Sequence, residues 1–333
     1  MKKRLLVWTA ALLLVALAIP AAAITNGTAD DDGEFPHVGQ LLFFVPDFID
    51  DRFPDPGGWF SCSGTLLDPG EVAGDVVLTA GHCAFAVGLD GKTTTDLNGD
   101  GAGGDSPAAD PDGDGVANNG VGGNDVWVSF ELTNDFESFL PPSSSFATNQ
   151  ARYDAWSAIL DARPEWHRGV ADAHPGYNDA AFFLFDVGVV SLTDDPSPVV
   201  GAALLPTDGY LDQFVGKKKA RSRFTPVGYG LERGFPFFSG GDTRMFADVM
   251  IIDATGVFGI GAIAPGTAVV FSNNNGRALQ GGTCFGDSGG PTFEKGTDTV
   301  VAVTSFGVNL TCTGTGGAYR IDKTFDLGWI RDH

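Results

Sequence analysis

Three short segments hold residue types that together can break an amide bond. Val77-Leu78-Thr79-Ala80-Gly81-His82-Cys83 ends an apolar run on one of only five histidines in the chain. Tyr177-Asn178-Asp179-Ala180-Ala181-Phe182-Phe183 sets an aspartate directly before an apolar run, and Gly286-Asp287-Ser288-Gly289-Gly290-Pro291 sets a serine in a glycine-rich turn. Serine is a weak nucleophile until a neighbouring base removes its proton, and imidazole has the side-chain pKa suited to that work near neutrality. A carboxylate beside the imidazole can fix its tautomer. Glycines around the serine let the backbone turn sharply and bring N–H groups up to a developing oxyanion. Taken singly, each segment has a plainer reading: a buried histidine, an Asn-Asp turn, a glycine turn. Asp125, which follows Asn124 and precedes an apolar run, is a competing carboxylate.

The elements that must position these residues read as short strands. Gln40–Val45, Ser61–Leu67 and Val76–Thr79 are apolar runs between tight turns, and Val126–Leu132 resumes the pattern. Further strands are expected at Ala180–Asp186, Val199–Leu205, Met245–Ile252, Ala268–Ser272, Thr299–Phe306 and Ala318–Ile321. Trp156, Ile159 and Leu160 at helical spacing predict a short helix over 151–162, and Phe325–Arg331 a terminal one. About a dozen short strands without a βα alternation point to barrels or a sandwich. The 333 residues suffice for a large buried core. Four cysteines, Cys62, Cys83, Cys284 and Cys312, can pair as two disulfides in three ways. None belongs to a Cys-x-x-Cys pair, which makes zinc the weaker reading.

In their order His, Asp, Ser, the three segments resemble the trypsin/chymotrypsin family of serine proteases, and the resemblance covers nearly the whole mature chain. Leu78–Cys83 resembles the family's histidine motif, with Gly81 where Ala is usual. Gly286–Pro291 matches the serine motif unchanged. Asn178-Asp179, preceded by His174-Pro175-Gly176-Tyr177, resembles the aspartate motif and favours Asp179 over Asp125. Cys62–Leu67 resembles the strand that pairs with the histidine loop, Ser305-Phe306-Gly307 the substrate-binding strand with Phe for Trp, and Trp329-Ile330 the terminal helix.

The resemblance implies an all-β fold: two six-stranded antiparallel β-barrels of the chymotrypsin type and a short C-terminal helix. The first barrel would span about 24–205 and the second about 206–333. It implies a serine endopeptidase acting through an acyl-enzyme, with Ser288 as nucleophile, His82 as base and Asp179 orienting His82. The N–H groups of Gly286 and Ser288 would form the oxyanion hole. It pairs Cys62 with Cys83 and Cys284 with Cys312. It places Gly282 and Thr283 at the base of the specificity pocket, Ser305, Gly307 and Gly317 around it, and Tyr319 behind. A base without an acid predicts cleavage after medium or large apolar residues rather than Lys or Arg. Catalysis of this kind needs no cofactor, and the partners are protein or peptide substrates of a monomer. A catalytically silent homologue that binds partners is the rival reading.

The N-terminus reads as a signal peptide over 1–23. Lys2, Lys3 and Arg4 precede the apolar run Leu5–Ile19, Pro20 breaks it, and Ala21-Ala22-Ala23 fits a cleavage site. Export, to the periplasm or beyond, suits disulfides, and no second long apolar stretch comes after it. Ile24-Thr25-Asn26-Gly27 resembles the family's mature N-terminus, whose ammonium would pair with Asp287. Formal charge is −22; cleavage after Ala23 leaves 17 basic against 42 acidic residues, or −25. Such a surface repels nucleic acid and anionic membranes. Residues 90–125 form a Gly/Asp-rich insertion with few large apolar residues. Asp96, Asn98 and Asp100, and again Asp110, Asp112 and Asp114, fit the first half of a calcium loop, although the twelfth-position Glu is missing from both. A structural Ca²⁺ there is expected to order the insertion. The basic cluster Lys217, Lys218, Lys219, Arg221 and Arg223 reads as a solvated loop.

Overall fold

The computed structural model describes residues 24–25, 27–46, 48–88, 124–178, 181, 184–215, 223–231, 240–256, 266–273, 281–307, 311–312 and 314–333. The signal segment, the candidate calcium residues and the basic cluster through Arg221 lie outside them, as does the Arg223 side chain.

After a two-residue strand β1 (Thr28–Ala29), six strands build the first barrel. They are β2 (Val38–Val45), β3 (Gly58–Leu66), β4 (Val76–Thr79), β5 (Asp125–Ser129), β6 (His167–Ala173) and β7 (Gly188–Leu192). The order β2-β3-β4-β7-β6-β5 closes on itself, and every pairing is antiparallel. The second barrel uses β8 (Arg223–Gly228), β10 (Val249–Asp253), β11 (Ala268–Asn273), β12 (Pro291–Glu294), β13 (Val300–Gly307) and β14 (Gly314–Arg320). Pairing of β12 with β8 closes that ring, and β9 (Met245–Phe246) and β1 extend its edge. Among the described residues, four helices accompany the barrels: α1 (Gly81–Ala84), α2 (Asn149–Asp161), α3 (Ser197–Val200) and α4 (Thr324–Arg331). The expected pair of six-stranded barrels with a C-terminal helix is therefore present.

Alternation along each strand explains why the apolar runs are continuous. In β2, Leu41 and Phe43 enter the first barrel's core with Val77, Val126 and Val190. Leu42 and Phe44 face the other way and pack with Trp127, Tyr153, Leu160 and Trp166 around α2. Both faces are covered, so neither needs polar residues. A third cluster joins the barrels: Val38, Leu78 and Val189 from the first meet Val227, Phe293 and Tyr319 from the second and Leu327 of α4.

Val199–Leu205 is not a strand, nor is the described part of Ala180–Asp186. Residues 184–187 form a turn and β7 begins only at Gly188. The run from Val199 to Leu205 supplies the end of α3 and two isolated bridges, Leu67↔Ala203 and Leu204↔Thr299. Strand β6 escaped the sequence reading because His167-Arg168-Gly169-Val170-Ala171 has no apolar run. Its Arg168 instead pairs with the buried Asp125 at 2.6 Å, so Asp125 serves the barrel wall.

Candidate active site

The antiparallel pair β4–β7 puts Thr79 opposite Gly188. The chain that leaves β4 into α1 and the chain that enters β7 therefore run side by side, which brings His82 to Asp186. The His82 ring Nδ1 lies 3.0 Å from both carboxylate oxygens of Asp186, and the His82 backbone N–H donates to Oδ1 at 2.9 Å. Ser305 Oγ donates to Oδ2 at 2.5 Å. Asp186 is fully buried while the His82 side chain keeps 27% of its exposure. A buried carboxylate is tolerable only with several donors, and these three supply them.

Asp179, the residue expected beside His82, lies outside the described residues, and the place at His82 Nδ1 is held by Asp186. The correction has a local reason. An aspartate two residues ahead of a strand that pairs with β4 is the one carried to the histidine, and that strand starts at Gly188. Asp186-Val187-Gly188-Val189-Val190, an acid before a small and β-branched run, was the available signal.

The serine segment is folded against the first barrel. Gly286 and Gly289 take φ values of +94° and +76°, which glycine adopts without strain. Space forces the choice at Gly289 as well: a Cβ there would lie 2.0 Å from Thr79 Oγ1 and 2.5 Å from the Ser63 carbonyl oxygen. Ser63 in β3 holds the turn at two points and is itself fixed by Tyr229. Its N–H donates to the Ser288 carbonyl at 2.8 Å, its hydroxyl donates to the Gly286 carbonyl at 2.9 Å, and the same hydroxyl accepts from Tyr229 N–H at 2.9 Å. Thr79 Oγ1 donates to the Ser63 carbonyl at 2.9 Å, which ties the histidine end of β4 to the same residue. The disulfides Cys62–Cys83 and Cys284–Cys312 pair as the resemblance implied. Cys62, His82 and Cys83 cluster closely enough to suggest metal ligands. The two sulfurs are bonded to each other, however, and offer no thiolate.

Asp287 is fully buried. Its oxygens accept from Gly230 N–H and Cys284 N–H, each at 2.8 Å. Burial nevertheless pushes its carboxyl up to about 7, because two amide donors do not replace water around a charge. Ile24 is also fully buried. Its neighbour Thr25 exchanges backbone hydrogen bonds with Gly282 at 2.9 and 3.2 Å, two residues before Cys284. Ile24 has φ of +51°, a strained conformation for a β-branched residue.

Beside Ser288 opens a cavity of about 130 Å³, to which Thr283, Ser305 and Gly307 contribute as expected. Gly282 and Gly317 lie behind other side chains. A Cβ on Gly282 would fall 2.0 Å from the Asn273 side chain, and one on Gly317 would fall 2.2 Å from the Phe306 ring. Asn273 Nδ2 donates to the Thr283 carbonyl at 3.3 Å from behind the residues that line the cavity. Nothing in the sequence marks Asn273, which meets Thr283 from the end of β11, where β11 pairs with β14.

Comparison with known proteins agrees with this geometry. No curated protein matches the sequence. Among solved structures, HL collagenase superposes with a TM-score of 0.52 at 16% identity, covering 90% of this chain and 94% of that one. GrC gives 0.52 at 14% identity, over 92% and 97%. At such identities the likeness speaks for the fold. Residues 160–327 match the Trypsin family, and the chain belongs to it.

Proposed function

We propose that the protein is a serine endopeptidase in which Ser288 attacks the scissile carbonyl and His82 takes its proton. His82 then passes that proton to the leaving amine, and water, activated by His82, releases the acyl group from Ser288. Asp186 keeps the His82 Nδ1–H tautomer and stabilises the imidazolium formed during transfer. The N–H groups of Gly286 and Ser288 hold the oxyanion. The observation that carries this reading is the fully buried Asp186 on Nδ1 of a histidine whose ring is still partly exposed. No cofactor is invoked.

Among the described residues none that lines the cavity beside Ser288 is acidic, which supports cleavage after uncharged, apolar residues rather than after Lys or Arg. For maturation we infer removal of residues 1–23 during export, leaving Ile24 first. Its φ is defined by the bond to Ala23, so that cut releases the strain of roughly 1–3 kcal/mol stored there. The new ammonium would supply Asp287 with the cation its burial calls for.

The test is digestion of a mixed peptide library, together with labelling by a serine-directed covalent inhibitor, for the wild type and Ser288→Ala. Cleavage and labelling by the wild type alone are expected. Absence of both in protein confirmed to begin at Ile24 would refute the reading in favour of a silent binding homologue.

A further inference from the structure

A second, larger cavity of about 1070 Å³ meets the candidate site on the other side of the serine turn. Phe285 borders both cavities, and Gly286 lines only the larger. The small cavity lies beside Ser288 and takes the residue before the scissile bond. A substrate chain that continues past the carbonyl then runs over Gly286 into the large one. Its walls come from β3, from the segment between β5 and β6 that carries α2, and from Tyr229, Leu231 and residues 240–242 on the second barrel's side. Trp59, Phe60, Phe136, Leu140 and Trp156 line it. Trp156 is held by its Nε1–H on the Pro141 carbonyl at 3.1 Å, and Trp59 packs on Tyr153 and Trp156.

Among the described residues, one cation lines the same cavity. Arg152, on α2, is only 4% exposed. Its guanidinium lies over the rings of Phe53 and Trp156, and Nη2 donates to Asn149 Oδ1 at 2.7 Å. Its Nε–H has no partner among the described residues, and neither does Trp59 Nε1–H. The acids whose fields reach Arg152 are committed elsewhere. Asp50 binds Arg52 at 2.7 Å, and Asp55 accepts the Asn149 and Gln150 N–H groups at the start of α2. A buried guanidinium with an unused donor is costly unless something anionic completes it. Glu137 and Asp242 also line the cavity, so a single carboxylate suits it better than an acidic run.

We propose that this cleft binds the leaving-group side of the substrate, taking an aromatic side chain against the wall of Trp59, Phe136 and Trp156 and one carboxylate at Arg152. The inference rests on the protease reading. It makes the residues on the leaving side of the cut bond a second determinant of selectivity, beside the cavity next to Ser288.

The test uses peptides identical up to the cut bond, with leaving segments of two to four residues containing Phe or Trp, each as free acid and as carboxamide. A chromogenic amide without leaving-side residues serves as reference. At one segment length the free acid should exceed the carboxamide by about tenfold or more in kcat/KM, as expected for a hydrogen bond to a charged group. Replacing the aromatic by Ala should lower kcat/KM as well. In Arg152→Gln the acid-to-amide ratio should fall to about one, and Arg152→Lys should restore part of it. The wild-type series decides the matter even if the Arg152 variants fail to fold. Acid and amide within twofold of each other at every length, with the chromogenic amide cleaved, would overturn the inference alone. If the chromogenic amide and every peptide stay intact, the protease reading falls and takes the inference with it.

Discussion

Replacing Asp186 by Asn tests the assignment at the centre of the site. The side chains are nearly isosteric, and Asp186 is sealed in by three donors: His82 N–H, His82 Nδ1–H and Ser305 Oγ–H. An amide has one oxygen to accept with. If that oxygen keeps the His82 backbone N–H at 2.9 Å, the NH2 group faces the ring and can only donate. Nδ1 must then be the acceptor, the ring proton moves to Nε2, and the base that should receive the Ser288 proton is already protonated. In enzymes of this class that tautomer error lowers turnover about 10⁴-fold, equivalent to about 5 kcal/mol of barrier. Asp179→Asn should stay within a few-fold of wild type. Turnover of a chromogenic peptide gives the rates, and thermal melts show that both variants fold. Asp186→Asn within tenfold of wild type, or Asp179→Asn equally damaged, would refute the reasoning.

Ser288→Ala should reduce turnover by more than about 10⁴-fold while leaving the melting temperature within a few degrees; residual activity near wild type in a mass-verified sample would point to another nucleophile. Gly289→Ala should destabilise by about 2 kcal/mol or more, because its Cβ meets Thr79 and a backbone oxygen, and an unchanged urea midpoint would contradict the packing. A pH comparison isolates Asp287. With Ile24 still acylated by Ala23, the folded-state pKa of Asp287 is about 7 against an ordinary 3.8. The folded chain thus holds the proton more tightly, and stability is lost as pH rises between those values. A chain that begins at Ile24 pairs the carboxylate with an ammonium and escapes that loss. Its advantage in melting temperature over the uncut chain should grow from about pH 4 to pH 7 and then level, and a difference independent of pH would exclude the pairing.

The parts of the site legible in the sequence are those whose chemistry is local. His82 beside Cys83 and the glycines around Ser288 are contiguous, and the turn they make needs those residue types wherever it occurs. Asp186 is different. Its one local mark, the small and β-branched run Val187-Gly188-Val189-Val190 after it, is weak; its role comes from which strand pairs with β4, and the aromatic run ending at Phe185 drew the strand boundary too early. The barrels were legible for the related reason that buried strands must be apolar. Strand β6 was not, since it gives the core only the small Ala171 and Ala173 while its Arg168 bonds to Asp125. Asn273 and the cleft at Arg152 depend on register and on the placing of α2, which no short window of sequence contains.

The double grip of Ser63 on the serine turn has a consequence for assembly. Ser63 belongs to the first barrel, and the turn it holds belongs to the second. Neither half of the chain contains a finished oxyanion turn, so hydrolytic competence is a property of the docked pair. Anything that parts the two halves should then abolish activity, whatever structure each half keeps. A nascent chain with one barrel complete would be harmless to itself and its neighbours until the other closes on it.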